Sequence, residues 1–486
     1  MDRSLDVVVV GAGIGGLGAA LSFTRAGHRV TIVERDDTPM PADVEDAFEW
    51  DRRGAPQVRH PHALLGLART ILRDRFPDVL QRLTDAGVHT VSMAGVALSA
   101  LGNPPAALGD DDDDLQLLAC RRTTFEWVLR RIVLAEPNVE LRVGMGVAGL
   151  VTARPSTATS LPTVVGVRME DGSTVRADLV VASTGRRSDL PRWLAEHGVD
   201  VPETSTDAGV VYFSRFYRSD EENTFGFRGG LSAGVATGVI GADAGTYSIT
   251  AVIDKNDREL RAHLSDSDRF DATMRLMPEL SDVVTFGGTP THPVHLMAGL
   301  INRLRRFTDA DGNPLAVGVL AVGDAHTCTN PAYGRGQSLA LLQATMAADA
   351  VAAADDLAGA ARRYEAASAA RVEPWYHFSV MSDQLRPLIP GNAVRTSDRP
   401  SPATGNGTSF DGLDIFGALS GVSVDPELMR LVLRVINLLE SPQVLLERLP
   451  DLQRAAAATK EARAAGRANR PRRRRISRDE ILAVVA

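Results

Sequence analysis

The stretch LDVVVVGAGIGGLGAALSFTRAGHRVTIVER, Leu5 to Arg35, decides the fold. Val7 to Val10 is an unbroken β-branched run, the pattern of a parallel strand buried on both faces. Leu17, Leu21 and Phe23 start an amphipathic helix that ends at Gly27, and Val30 to Val33 is the next strand. Strand, glycine turn, helix and strand form a βαβ unit, which predicts a doubly wound α/β sheet. Gly11, Gly13 and Gly16 lie after the first strand and open the helix, with Ile14 and Gly15 between them. Gly11 makes the tight turn, Gly13 lets the backbone approach a pyrophosphate, and Gly16 lets helix pack on strand. The free amides and positive dipole end of the helix then face the phosphates. Glu34 ends the second strand 23 residues after Gly11, placed to accept hydrogen bonds from ribose hydroxyls, with Arg35 beside it. A carboxylate there disfavours a 2′-phosphate, so the loop points to NAD or FAD rather than NADP.

Composition sets the bounds around this unit. A chain of 486 residues with 44% hydrophobic and 23% charged residues holds two or three ordinary globular domains. A net charge of −8 gives no global attraction to nucleic acid, and the basic run RANRPRRRRISR, residues 467–478, has no aromatic platform and reads as a solvated tail. Cys120 and Cys328 stand far apart without metal spacing, which fits a reducing cytoplasm. The N-terminal apolar run flows straight into the glycine loop and reads as structure, and no segment has the apolar length of a membrane span. Lys255 and Lys460 are the only lysines among 53 basic residues.

Further along, Thr124 to Leu134 reads as helix, and a hairpin turning on Asp171-Gly172 precedes a buried strand at Leu179 to Ala182. Residues 208–253 read as antiparallel β. From Pro314 to Ala360 the pattern returns to strand, glycine loop and alanine-rich helix, and the remainder is mostly helical with a loop or linker at 397–412. The five aspartates Asp110 to Asp114 read as a solvated loop. ELMRLVLRVINLLE, residues 427–440, reads as a core or lid helix rather than a membrane surface. The expected architecture is α/β: a Rossmann-like domain for the dinucleotide cofactor from 1–80, 105–190 and 300–360, a discontinuous β-sheet substrate domain from 81–104 and 191–299, and a helical C-terminal region from 361–486.

A second strand, loop and helix occurs in GVLAVGDAHTCTNPAYGRGQSLALLQA, Gly318 to Ala344. Here the chain resembles the FAD-dependent monooxygenases of the single-component aromatic hydroxylase type, with Gly323, Asp324, His326, Pro331, Gly334 and Gly336 on their late motif. The resemblance implies FAD as cofactor, with Asp324 on its ribityl chain. The physics agrees, since a carboxylate suits a polyol and the helix dipole faces the flavin N1 and C2 carbonyl, where reduced flavin is anionic. Arg122 resembles the arginine that opens a cofactor-contacting helix in this family, with Arg121 an equally available neighbour. One departure concerns the middle motif, commonly Ala-Asp-Gly in the family. Here it is Ser183-Thr184-Gly185, which leaves open whether NAD(P)H donates electrons directly or through a partner flavin reductase, as in squalene epoxidases and other flavin epoxidases.

The resemblance implies insertion of one O2-derived oxygen into a lipophilic alkene or aromatic, by epoxidation or hydroxylation through a flavin C4a-hydroperoxide. A secondary-metabolite intermediate is the expected substrate. Three alternatives share the fold. A flavin halogenase relies on a lysine in its N-terminal half and a Trp-x-Trp pair, whereas the first lysine here is Lys255 and every tryptophan stands alone. A prenyl-chain reductase would saturate an alkene without consuming O2. A non-catalytic binding protein, as in the dissociation inhibitors of small GTPases, would have no use for the Gly323-Asp324 motif.

The remaining cluster is RRGAPQVRHPHALLG, Arg52 to Gly66, which holds two of the chain's ten histidines. Its Arg53, Gly54, Pro56, Gln57, His60, His62 and Leu64 resemble a pattern of some polyether epoxidases. No cysteine or acidic cluster accompanies the histidines, so a metal site is not expected. The segment follows the first βαβ unit, where this fold passes the flavin. Arg53 is expected to contact the cofactor, and Gln57 and His62 are the candidate catalytic residues near the ring.

Overall fold

The computed structural model describes residues 4–62, 64–93, 113–154, 161–220, 228–280, 283, 287–384, 425–464 and 476–484. The aspartates Asp110 to Asp112, the segment 397–412 and most of the basic run lie outside these residues. The strands used below are Asp6–Val10 (β1), Arg29–Glu34 (β2), Val139–Val143 (β3), Leu179–Ala182 (β4), Val210–Arg218 (β5), Val235–Gly241 (β6), Thr246–Asp254 (β7), Ile301–Arg305 (β8) and Val319–Ala321 (β9). The helices are Ile14–Arg25 (α1), Arg122–Ala135 (α2), Gly336–Ala352 (α3), Glu373–Gln384 (α4), Pro426–Ile436 (α5) and Arg478–Leu482 (α6).

The βαβ unit forms as its sequence dictates. β1 sits in the middle of a parallel five-stranded sheet ordered β9-β4-β1-β2-β3. Its alternate valines serve two cores: Val7 and Val9 face the cluster that holds α1 and α3, while Val8 and Val10 face one with Leu150, Val167 and Trp193. That double burial is why the run has no polar residue. α1 packs closely on α3, because a Cβ at Gly18 would lie 3.1 Å from the Leu341 side chain and 3.3 Å from Ala344. The hairpin on Asp171-Gly172 is present, with Gly172 at φ +84 and the flanking strands antiparallel.

β5, β6 and β7 belong to a six-stranded sheet whose β5 also pairs with Thr289–Pro290 and His295–Met297. One face of this sheet is sealed: Phe213, Val239, Ile249, Ala251 and Ile253 pack on Leu260, Phe270 and Met274. α6 closes the same core through Ile481, and Arg478 clamps Asp257 with bonds of 2.5 and 2.8 Å. The other face carries Tyr212, Ser214 and Phe216 opposite Val252, Thr250 and Ser248. It turns toward the parallel sheet, as the contacts below establish.

α5 is part of the main core rather than an outer surface. Leu428, Val432 and Val435 join the cluster around α1, and the buried Asn437 that follows accepts the Gly66 N–H on Oδ1 (3.1 Å) and the Leu67 N–H on its carbonyl (3.0 Å). These bonds satisfy two of the free amides at the start of helix Gly66–Arg75. Among the described residues, no helix is long and apolar enough to cross a membrane.

Candidate active site

The glycine loop has the shape its residues require. Gly11 takes φ +101, and a Cβ there would stand 2.5 Å from the Ser183 carbonyl oxygen. At Gly16 a Cβ would fall 1.8 Å from the Gly11 oxygen, so no other residue fits. Gly13 faces open space, with no atom within 4 Å of the place a Cβ would occupy. Gly15 and Ile14 are buried in the first turn of α1. Ser183, in the place of the family's middle motif, lies directly against this loop: its hydroxyl is 2.8 Å from where a Gly15 Cβ would be.

Glu34 is buried at the end of β2 and supports the loop from beneath. Its Oε2 accepts the Ala12 N–H at 2.7 Å and its Oε1 the Asp36 N–H at 2.9 Å. Arg52 reaches the same place, donating to Asp36 (2.5 Å) and to Glu126 on α2 (2.6 Å), with Glu34 at 3.8 Å. Its guanidinium lies over Trp50 at 5.1 Å. Arg53, expected at the cofactor, instead projects outward with its side chain 79% exposed, 4.0 Å from Asp51. Arg35 is exposed as well. The inward arginine of the pair is Arg52, which sequence alone does not single out because nothing in a turn fixes which of two neighbours faces in.

Arg122 starts α2 and is buried, donating to Glu126 at 3.0 Å. It bears electrostatically on both Asp324 and His62. Burial pushes the Asp324 carboxyl up, against the pull of Arg186 and Arg122. His62 donates Nδ1–H to the His60 carbonyl (2.8 Å), which leaves Nε2 as its acceptor. Burial, reinforced by Arg122, holds the His62 imidazole down at about 3, so it is neutral. Arg122 thus lies within electrostatic reach of His62 and of Asp324, which come from two other stretches of chain. Gln57 is half-buried in the 3₁₀ turn Pro56–Arg59.

Arg121 has a different task. It forms a buried ion pair with Asp243, in the turn between β6 and β7: Nε at 2.8 Å, Nη2 at 2.5 Å and its N–H at 2.7 Å. Thr124 adds a fourth bond of 2.7 Å. This pair ties the antiparallel sheet to α2. Two more contacts close the same interface, His60 Nδ1 with Ser214 Oγ (3.0 Å) and Tyr212 OH donating to Asn330 Oδ1 (2.8 Å). Ser214 in turn meets Thr250 Oγ1 at 3.1 Å. His326 turns away from this interface, with Thr327 (2.7 Å) and Glu365 (3.4 Å) as partners and the Phe307 and Tyr364 rings around it.

Gly323 takes φ +67, and Gly334, after the short turn Pro331–Tyr333, takes φ +65. Gly336 then opens α3 with Asp324 Oδ1 4.0 Å from a Cβ built there. Several buried polar atoms in these segments have no protein partner: Arg122 Nε, Thr123 Oγ1, Thr329 Oγ1, both amide atoms of Gln337, and Ser338 Oγ. Leaving such atoms unpaired costs about 1 to 3 kcal/mol each. A ligand with phosphate, polyol and ring amide groups would offer such atoms partners, and Arg122, Asp324 and two glycine loops fit FAD. Among the described residues no group of three or more His, Cys, Asp or Glu side chains is arranged for a metal ion.

Comparison with known proteins agrees with this geometry. Residues 6–43 match the model of the family described as FAD dependent oxidoreductase. Hispidin-3-hydroxylase of Neonothopanus nambi is 28% identical over 230 residues, covering 45% of this chain and 46% of that protein. The chain thus spans about half the length of the curated relative it matches. PqsL of Pseudomonas aeruginosa, a probable FAD-dependent monooxygenase, superimposes with a TM-score of 0.59 at 17% identity over 79% of this chain and 96% of its own. The flavin-dependent brominase Bmp2 gives 0.62 at 17% identity over 93% and 100%. In fold the chain is similar to these flavin-dependent enzymes, and its dinucleotide loop lies within the residues that match the FAD dependent oxidoreductase family.

Proposed function

We propose that this protein is an FAD-dependent monooxygenase that inserts one oxygen atom of O2, by hydroxylation or epoxidation, into a lipophilic alkene or aromatic, a secondary-metabolite intermediate. The observation that carries the reading is the pair of glycine loops, at Gly11 to Gly16 and at Gly334 to Gly336, with Asp324 Oδ1 4.0 Å from a Cβ built at Gly336 and buried atoms of Arg122, Gln337 and Ser338 without protein partners. The parallel sheet and its loops, from residues 1–80, 105–190 and 300–360, would hold the cofactor, and the β-rich part, from 81–104 and 191–299, the substrate. FAD, when bound and reduced, would supply the two electrons that activate O2, one atom of which passes to the substrate while the other leaves as water.

The chain's own residues would do the rest. Gly11, Gly13 and the first turn of α1 take the pyrophosphate, Glu34 the adenosine ribose, and Asp324 the ribityl chain. Gly334 and Gly336 let the α3 N-terminus approach the flavin N1 pole. His62, neutral and with Nε2 as an acceptor, is suited to hold a hydrogen bond at the ring without adding charge. The sheet face, with Phe216, Val252 and Ala236 among Ser214, Ser248 and Thr250, would exclude water from an apolar substrate and orient it through a few hydroxyls. The likeness to a hydroxylase supports oxygen insertion over alkene saturation.

Electrons would come from NAD(P)H, directly or through a partner reductase; Ser183-Thr184-Gly185 in place of an acidic middle motif favours the partner. The test is stopped-flow reduction of the FAD-loaded protein by NADH and NADPH, with and without an added flavin reductase, while O2 uptake is followed. Reduction only with the reductase, followed by O2 consumption, is expected. Fast reduction by nicotinamide alone refutes the partner, and a chain that takes up no FAD refutes the whole reading.

A further inference from the structure

We propose that Asp383, on a helix outside the nucleotide-binding sheet, is a positioning residue for the loop Asn330–Gly336, and that Tyr212 couples this loop to the substrate-facing sheet. The inference rests on the FAD reading above. Asn330 is the hub and is fully buried. Its N–H donates to Asn302 Oδ1 (2.8 Å) and its Nδ2 to Asp383 Oδ1 (2.7 Å). Its Oδ1 accepts Tyr212 OH (2.8 Å) and the Ala332 N–H (3.0 Å). Asn302, on β8 and equally buried, donates to the other oxygen of Asp383 at 2.7 Å. Tyr333 OH donates to Asp383 Oδ1 at 2.7 Å. One carboxylate thus accepts from three donors on two different segments of chain, and only an anion with two oxygens can do so.

The same helix holds the end of the loop. Arg335, 4% exposed, puts its guanidinium over Tyr333 (4.5 Å), Phe378 (4.9 Å) and Trp375 (5.2 Å), and donates to Ser379 Oγ at 2.6 Å. Trp375, Phe378, Ser379 and Asp383 recur at three- and four-residue steps, so they form one face of α4. That face fixes both ends of the turn whose next residue, Gly336, begins α3. Any shift of Asn330 or Arg335 therefore moves the N-terminus of α3 against the cofactor. Tyr212 OH reaches the hub from the substrate side, so what sits on the sheet is felt by the loop through one hydrogen bond. A helix that only filled space would need none of these polar contacts.

The experiment uses the FAD-reconstituted full chain and the variants Asp383→Ala, Asp383→Asn, Tyr333→Phe and Tyr212→Phe. FAD dissociation constants and flavin midpoint potentials are measured for each. Asp383→Ala should weaken FAD binding on the order of tenfold to a hundredfold, with a shifted potential. Asp383→Asn, which keeps one acceptor oxygen, should fall between it and wild type. Tyr212→Phe should shift the potential with a smaller loss of affinity. If Asp383→Ala does not fold, Asp383→Asn and Tyr333→Phe decide the matter. Wild-type potential and affinity within about twofold in these variants, even with a lowered melting temperature, overturn the proposal. A wild-type chain that binds no FAD overturns the cofactor reading as well, so the two failures are told apart by the unmutated protein.

Discussion

Replacing Asp243 by alanine should unlatch the antiparallel sheet from α2. Asp243 is 1% exposed and accepts four hydrogen bonds, three from Arg121 and one from Thr124. The alanine leaves the Arg121 guanidinium, itself 3% exposed, against the Phe48 ring at 4.8 Å with no counter-charge. Removing one member of a buried ion pair costs about 3 to 5 kcal/mol, chiefly because the other charge stays buried and unpaired. Urea denaturation of the apoprotein should show that loss in Asp243→Ala. A double variant, Arg121→Met with Asp243→Leu, should recover most of it, since neither charge then needs a partner. A loss below about 1 kcal/mol in Asp243→Ala would mean that Arg121 reaches water, and the buried latch would be refuted.

Acid should weaken the fold through the histidines of the His60–His62 segment. Burial holds His60 at about 4 and His62 at about 3. Both lie below the unfolded value near 6.5, so the unfolded chain binds protons first. Their contribution is complete above about pH 6.5 and is lost as the pH falls towards those folded values. Near pH 5 each should lower stability by about 2 kcal/mol. In His60→Gln, the difference between denaturation at neutral pH and near pH 5 should shrink by that amount, and an unchanged difference would show that His60 is already solvated. The two adjacent arginines should separate cleanly. Arg52→Met strips the shared cation from Glu34, Asp36 and Glu126 and should cost about 3 to 5 kcal/mol together with FAD affinity. Arg53→Met should stay within about 0.5 kcal/mol of wild type and keep FAD. A loss of FAD in Arg53→Met, measured by fluorescence titration, would instead show that this outward residue closes over the cofactor.

The parts that could be read from sequence are those where backbone geometry dictates residue type. Gly11 and Gly16 are required by contacts of 2.5 and 1.8 Å that any Cβ would violate, and the β1 valines by burial on two faces. Asp324 and Arg122 were singled out by the family resemblance, and the structure buries Arg122 at the start of α2. The partners that give the site its stiffness were not. Arg52 and Arg53 are neighbours in a turn, where no periodicity tells inward from outward. Asp243 reaches Arg121 across 122 positions, and Asp383 reaches Asn330 across 53, so only the folded topology joins them. His326 matches the late motif in sequence, yet its ring serves the core beside Glu365.

The parallel sheet draws its two glycine loops from both ends of a long insertion. The first loop, at Gly11 to Gly16, gains its strand and helix first and its Glu34 support with β2, but the second, after β9, lies more than three hundred residues later. At roughly 5 to 20 residues per second, the nascent chain waits some tens of seconds between the two. For the first half of that interval β1 has no β4 beside it, and until the end of it the sheet lacks both its β9 edge and the cover of α3. Both loops can meet a single dinucleotide only after the chain has passed Gly336, and until then the apolar face of the sheet that α3 covers stands open.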